Sequence, residues 1–121
     1  MKKKTAIIGA TDKSHKYAYQ ATSRLKKHHH PVVPLGVRAG EIEGESIVTE
    51  WPDQIEELDT VTMYVGPQRQ PDMYDYIIGL NPKRVIFNPG TENPEFYTKL
   101  EKAGIEHEEA CTLVLLSTGG Y

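Results

Sequence analysis

The sequence predicts a doubly wound α/β fold: a single domain of 121 residues built on about five parallel strands. Three observations support this prediction. Short apolar runs recur along the chain and end at a glycine or a turn, as the buried strands of a parallel sheet do. Segments with apolar residues three and four positions apart separate these runs, which is the pattern of amphipathic helices. The first strand, helix and second strand also fit within about 30 residues, the length of a βαβ unit.

That first unit is the clearest part of the pattern. Lys4–Gly9 is predicted to be a buried strand, and the turn after it contains two candidate helix caps, Asp12 and Ser14. A helix is predicted from about His15 to His29, because Pro31 breaks it. The second strand follows over Pro31–Gly36.

The rest of the chain continues the alternation. The predicted elements are an exposed hairpin over Glu41–Val48, a strand over Thr60–Gly66, a helix over Gln70–Leu80, a strand over Arg84–Phe87, a helix over Asn93–Ala103, and a last short strand that begins at Ile105. The apolar tail Cys111–Leu116 is expected to cover part of the core.

Composition excludes several classes of protein. With 38% hydrophobic and 26% charged residues, the chain has the composition of a globular protein rather than a disordered one. No apolar stretch approaches the roughly 20 residues of a membrane helix, and the start of the chain has no signal-peptide pattern. The single cysteine, Cys111, rules out an intramolecular disulfide. We therefore expect a soluble cytoplasmic protein with no membrane partner.

Charge is distributed unevenly along the chain. Residues 1–38 contain nine Lys/Arg and one acid, a net charge of +8, whereas the remainder contains five Lys/Arg and 16 acids, a net charge of −11. The overall charge of −3 does not indicate a nucleic-acid partner. The positive first third indicates either an anionic ligand at the front of the fold or solvated basic helix faces.

The strand exits are the candidate ligand site, since ligands of doubly wound folds bind outside the carboxyl ends of the strands. The first turn, Gly9–Ser14, opens a helix whose free N–H groups attract phosphate, and it supplies Thr11 and Lys13. Glycines at the exits are expected to let a ligand approach the backbone closely. These features favour a ligand with a pyrophosphate, although each loop taken alone also fits an ordinary strand–helix connection.

The pattern disfavours NAD. An NAD site usually has the sequence G-x-G-x-x-G in this turn and an acid about 20 residues later. This turn has one glycine, and no carboxylate follows the second strand until Glu41. Arg38 stands instead where the adenosine ribose would lie, which suits the 3′-phosphate of coenzyme A or the 2′-phosphate of NADP.

Several segments together resemble one family. They are Ile7–Thr11, Ser14, Tyr17, Val33–Gly36, Gly40–Gly44, Val85–Gly90 and Cys111, and they span essentially the whole chain. In these segments the sequence is similar to the small bacterial CoA-binding proteins, which are single Rossmann-like domains related to the CoA-binding domain of the succinyl-CoA synthetase α subunit. The chain departs from the family pattern at Gly36–Val37, where relatives commonly have Asn-Pro. It departs again at Val65–Pro67, where they tend to have an aliphatic residue followed by Phe-Arg.

The resemblance implies coenzyme A or acyl-CoA as the ligand. It places the phosphates on the first turn, the 3′-phosphate near Arg38, and the adenine or the pantetheine against Val65–Pro67. With the strand exits, the predicted CoA-binding residues are Gly9, Ala10, Thr11, Lys13, Ser14, Tyr17, Gly36, Arg38, Val65, Gly66, Pro67, Asn88, Pro89 and Gly90.

Other polar candidates are weaker. His28–His30 is a poor preformed metal site, because adjacent residues on a helix point in different directions. His15 lies at the phosphate turn, and His107 has no evident partner as a catalytic base. Cys111 is a candidate for thiol exchange with CoA, or a small buried hydrophobe.

Three functional hypotheses follow. The first is a non-catalytic CoA-binding or acyl-CoA-binding protein. The second is an NADP-dependent or CoA-using enzyme fragment that acts with a partner domain, and it depends on Arg38 and Cys111. The third is a binding domain that regulates an unidentified protein partner through the apolar tail and the hairpin.

Overall fold

A five-stranded parallel sheet forms the centre of the computed structural model, which describes residues 2–121. Its strands lie in the order β2-β1-β5-β6-β7. Their bounds are β1 Thr5–Ile8, β2 Val32–Leu35, β5 Thr60–Met63, β6 Arg84–Phe87 and β7 Glu106–Glu109. Every residue of β1 and β5 is buried, as the apolar runs predicted. The α/β fold class and the parallel sheet are confirmed.

Four helices cover the two faces of this sheet. They are α1 Tyr17–Lys27, α2 Tyr74–Leu80, α3 Pro94–Lys102 and α4 Thr112–Thr118. Helices α1 and α4 contact each other on one face, and α2 contacts α3 on the other. The core is accordingly split in two: Ile7 and Leu25 belong to the first face, and Met63 and Phe87 belong to the second. No helix among residues 2–121 is long and apolar enough to cross a membrane.

The direction in which successive strands are added to the sheet reverses at β1. The chain passes from β1 through α1 to β2 on one side, and β5 then pairs with the opposite side of β1. Crossovers that leave a central strand in opposite directions open a crevice at its carboxyl end. The loops that follow β1, β2 and β5 therefore meet at one place.

Three helix predictions need correction. Helix α1 begins at Tyr17 rather than near His15. The first turn of the predicted Gln70–Leu80 helix is a 3-10 turn, Pro71–Met73, and another 3-10 turn, Pro67–Arg69, precedes it. Each proline fits the first position of a new turn because it lacks an N–H. The apolar tail, predicted only to cover the core, forms α4, with Thr112 and Leu116 buried.

The predicted hairpin is present as β3 Glu41–Ile42 and β4 Glu45–Ser46. It is held against α1 rather than standing free. Ile42 is fully buried, Ser23 Oγ donates to Glu43 Oε1 at 2.8 Å, and Lys26 Nζ donates to the Glu43 carbonyl at 2.6 Å. The hairpin is thus part of the scaffold beside the crevice.

Candidate functional site

A cavity of about 850 Å³ opens at the carboxyl ends of the strands. Loops after β1, β2, β5 and β6 line it together with the first residues of α1. The lining residues are Gly9, Ala10, Thr11, Asp12, Lys13, Lys16, Tyr17, Ala18, Val37, Arg38, Ala39, Ile47, Tyr64, Gly66, Arg69, Pro89, Gly90 and Thr91. Nine residues predicted from the sequence belong to this set, so the predicted strand exits do converge.

Gly9 turns the chain at the end of β1 for a reason internal to the fold. Its φ is +97°, and a Cβ there would lie 3.0 Å from the Tyr64 carbonyl oxygen. The N–H groups of Gly9 and Ala10 both donate to the Leu35 carbonyl at 3.0 Å. Gly9 therefore lets β1 and β5 approach each other, and these two N–H groups are already used by the protein.

Gly36 and Gly90 differ in how much space surrounds their Cα atoms. A Cβ on Gly36 would lie 2.7 Å from the Ala10 carbonyl oxygen, so this glycine also serves close packing. At Gly90, where φ is +93°, a Cβ would meet nothing within 4 Å. Close packing within the fold thus accounts for Gly9 and Gly36, whereas Gly90 leaves open space, and the expectation that exit glycines admit a ligand stays a prediction.

The beginning of α1 faces the cavity without a side-chain cap. Its N-cap residue is Lys16, which makes no capping hydrogen bond, so the prediction that Asp12 or Ser14 caps the helix is wrong. Lys16, Tyr17 and Ala18 all line the cavity. The first N–H groups of a helix have no partners within the helix, and they carry the positive end of its dipole. This end of the cavity therefore suits an anion.

Four cations line the cavity, and within residues 2–121 none of them has a carboxylate within 4.0 Å. They are Lys13, Lys16, Arg38 and Arg69. Asp12 is the one acid in the lining, and it lies against Gly40, where an added Cβ would be 2.8 Å from Oδ2. Unpaired cations on low-dielectric walls concentrate negative ligands. The basic first third of the sequence thus contributes three of these four charges.

Asn88 is buried in the scaffold and does not line the cavity. Its Nδ2 donates to Thr62 Oγ1 at 2.7 Å and to the Met63 carbonyl at 2.8 Å, and its Oδ1 accepts from the Thr112 N–H at 2.9 Å. These bonds join β6, β5 and α4 beneath the cavity floor. Asn88 was predicted from its place at a strand exit, but its side chain is fully occupied within the fold.

The other predicted residues outside the lining fall into two groups. Ser14 is an exposed turn residue and Pro67 is the exposed first residue of a 3-10 turn, and neither lines the cavity. Gly36 and Val65 line an adjoining cavity of about 120 Å³. This smaller cavity, called the side cavity below, is lined by Gly9, Ala10, Gly36, Val37, Trp51, Tyr64, Val65, Arg69 and Met73.

The side cavity is mainly apolar and its rim is fixed. Trp51 Nε1 donates to the Gly36 carbonyl at 3.0 Å, and its ring lies 5.4 Å from that of Tyr76, centroid to centroid. Arg69 borders both the side cavity and the main one. A base or another flat apolar group can therefore contact the side cavity while charged groups occupy the main one.

Nine lining residues were not among the predicted binding residues, and three of them, Tyr64, Arg69 and Thr91, follow β5 or β6. Burial raises the pKa of the Tyr64 phenol well above its ordinary value, so this group stays a neutral hydroxyl. Arg69 follows the predicted Val65–Pro67 exit by only two residues. If the set of candidate residues after β5 had been continued to the next cation, it would have included Arg69.

The remaining candidates lie elsewhere. His30 Nδ1 accepts from the Lys3 N–H at 2.9 Å near the amino ends of the strands. His107, which the sequence left without a partner, lies 2.7 Å from Glu101 and stacks on Tyr97 beside the edge strand β7. Cys111 precedes α4 outside the cavity lining. Residues 2–121 contain no cluster of three or more side chains suited to a metal ion.

Comparison with known proteins agrees with the fold. A solved structure of an uncharacterized protein shares 51% identity, with a TM-score of 0.96 over 100% of this chain and 99% of that one. A conserved hypothetical protein from Pyrococcus furiosus shares 28% identity, with a TM-score of 0.78 over 93% and 97% of the two chains. A Thermus thermophilus structure at 24% identity supports the fold alone, with a TM-score of 0.87 over 99% and 91%.

No curated protein matches the chain. The sequence model described as "CoA binding domain" matches residues 3–117, which is nearly the whole chain and includes every residue that lines the cavity. The chain therefore belongs to the CoA-binding domain family.

Proposed function

We propose that this protein is a single domain that binds coenzyme A or acyl-CoA without catalysing a reaction on it. The observation that supports this most strongly is the set of four unpaired cations around one cavity at the carboxyl ends of the strands. Coenzyme A has a pyrophosphate and a separate ribose phosphate, and such a ligand needs several positive groups spread over one site. Membership of the CoA-binding domain family agrees with this choice of ligand.

The pyrophosphate is assigned to the first turn. Lys13 and Lys16 flank the uncapped start of α1, and the Thr11 hydroxyl is beside them. The N–H groups of Thr11 and Asp12 have no acceptor among residues 2–121, whereas those of Gly9 and Ala10 do. The phosphate contacts in this proposal are therefore shifted along the turn, from the glycine toward the helix.

The two ends of the ligand then extend in opposite directions across the sheet. The adenosine lies toward Arg38 on the β2 side, and the edge of its base contacts the side cavity. The pantetheine arm runs along Pro89–Thr91 on the β6 side, where Gly90 leaves open space. The non-catalytic role rests on the lining, which holds no histidine, no cysteine and one carboxylate among the described residues.

Isothermal titration calorimetry with CoA, acetyl-CoA and NADP tests the proposal. We expect CoA to bind at sub-millimolar concentration, and the variant Lys13→Met/Lys16→Met to bind it at least tenfold more weakly, since each charged hydrogen bond contributes about 1.5–3 kcal/mol. Lys102→Met changes an exposed lysine on α3 outside the cavity and is the matched control.

Three outcomes contradict the proposal. Absence of CoA binding overturns the ligand, and equal weakening by the control variant overturns the site. Binding of NADP but not CoA, together with NADPH turnover, favours the alternative of an enzyme fragment. The remaining support for an enzyme fragment is Arg38, which suits the 2′-phosphate of NADP as well as the 3′-phosphate of CoA.

A further inference from the structure

Arg69 is an arginine that neither the motifs nor the strand-exit pattern identified, and its position differs from that of the other cavity cations. It is the one cation of residues 2–121 that lines both the main cavity and the side cavity. Its side chain is exposed, and no carboxylate of the described residues lies within 4.0 Å of it. An exposed, unpaired arginine at the junction of two cavities is available to a ligand that enters both.

The loop that supplies Arg69 is held rigidly from below. The neighbouring Gln70 is fully buried, and its Nε2 donates to the carbonyls of Val65 at 3.0 Å and Thr91 at 2.8 Å. Its Oε1 accepts from Asn93 Nδ2 at 2.9 Å. These bonds lock the loop after β5 to the loop after β6. The backbone of Arg69 is therefore set in place before any ligand binds, which lowers the entropic cost of a contact from its side chain.

Arg38 and Arg69 stand on the two sides of the first turn. Arg38 follows β2 and Arg69 follows β5, and these are the two neighbours of β1 in the sheet. Val37, beside Arg38, lines the same small side cavity as Arg69. The loop after β2 and the loop after β5 therefore face each other across this cavity of about 120 Å³.

We propose that Arg69 is a specificity-determining residue that binds the ribose phosphate of the ligand together with Arg38. This inference rests on the proposed CoA-type ligand and adds to it a second cation and a means of discrimination. A guanidinium offers paired N–H donors that match the oxygens of a phosphate monoester. The two lysines near α1 act as point charges on the pyrophosphate, whereas the two arginines select ligands that have an additional phosphate on the ribose.

The test compares CoA with 3′-dephospho-CoA in titrations of the wild-type protein, Arg69→Met and Arg38→Met. We expect the wild-type protein to prefer CoA at least tenfold, and each variant to lose most of that preference while binding 3′-dephospho-CoA within about twofold of wild type. Arg24→Met replaces an exposed arginine of α1 outside the cavity lining and is the matched control.

A double-mutant cycle then asks whether the two arginines act on one group. If both arginines bind the same phosphate, Arg38→Met/Arg69→Met weakens CoA binding by less than the product of the fold-changes of the two single variants. Equal weakening of CoA and 3′-dephospho-CoA by Arg69→Met, or no weakening of either, overturns the role of Arg69 while CoA binding itself stands. If the wild-type protein binds neither ligand, the proposed function fails, which is a different result.

Discussion

The two ends of the sheet use the same kinds of charged residue in opposite ways. At the carboxyl ends, Arg38 and Arg69 border a cavity and have no carboxylate partner among residues 2–121. Toward the amino ends, Arg84 donates to Thr60 Oγ1, Glu108 Oε1 and the Tyr121 carbonyl oxygen, each at 2.9 Å. Arg84 also lies over the Tyr121 ring, 4.5 Å from its centroid.

Whether a charged side chain has partners within the protein therefore distinguishes structural residues from candidate ligand-binding residues better than residue type does. A charge whose hydrogen bonds are met inside the protein contributes to the fold, and it has little left to offer a ligand. A third cavity, of about 430 Å³, lies beside β7, but Arg84 is paired there with Glu108, and His107 with Glu101. The larger cavity, with its cations unpaired, is the one suited to an anion.

The largest effect is expected where the scaffold directly underlies the site. Asn88→Leu removes three hydrogen bonds in a residue that is 3% exposed, and it leaves the Met63 carbonyl and the Thr112 N–H without partners. The free energy of unfolding should fall by about 3 kcal/mol. Urea denaturation measures this, with exposed Gln54→Leu as a control that should stay within about 0.5 kcal/mol of wild type. A loss as small as that of the control would mean that Asn88 is free to serve the ligand instead.

The next largest effect is expected from replacing Arg84 or Arg38, one of which should affect stability and the other ligand affinity. Arg84→Met should lower the free energy of unfolding by about 2 kcal/mol, because its partners lose charge-assisted hydrogen bonds. Its CoA affinity should stay within about twofold of wild type. Arg38→Met should do the reverse, with unfolding within about 0.5 kcal/mol of wild type and markedly weaker CoA binding. Denaturation and calorimetry on the same protein samples check both halves, and any variant that loses stability and affinity together breaks the comparison.

The sequence located β1, β2 and β6 because most of their residues are apolar. The strand β5 was identified from its β-branched residues and the glycine that follows, and the edge strand β7 from the helix end before it. Thr60–Met63 and Arg84–Phe87 could be located from composition and the turns that follow them. Helix starts were less accurate, since the long turn after Gly9 delays α1 until Tyr17 without any side-chain cap to mark it. The helix α4 was hidden because its apolar residues follow no clear helical spacing that a short segment could reveal.

The candidate site was only partly predictable for a different reason. Strand exits follow from the chain order, but what each exit residue faces depends on the sheet order and on neighbouring loops. Asn88 has the residue type of a ligand contact, yet it turns into the scaffold. Arg69 lies just beyond a marked exit and reaches the cavity because β5 pairs with β1. Pairing of charges is likewise a property of the folded chain.

The smallest effect concerns pH and the amino ends of the strands. Burial, and then the positive charge of Lys2, lower the pKa of His30, whose Nδ1 accepts from the Lys3 N–H. A folded state that disfavours protonation is stabilised above the unfolded pKa of about 6.5 and loses that stability as pH falls through the folded pKa. The free energy of unfolding should therefore decrease more steeply from pH 7.5 to 5.5 in the wild-type protein than in His30→Gln. Identical slopes in the two proteins would show that folding does not shift the pKa of His30. The amino ends of the strands would then not restrain a charge, and the contrast with the open site at the carboxyl ends would fail.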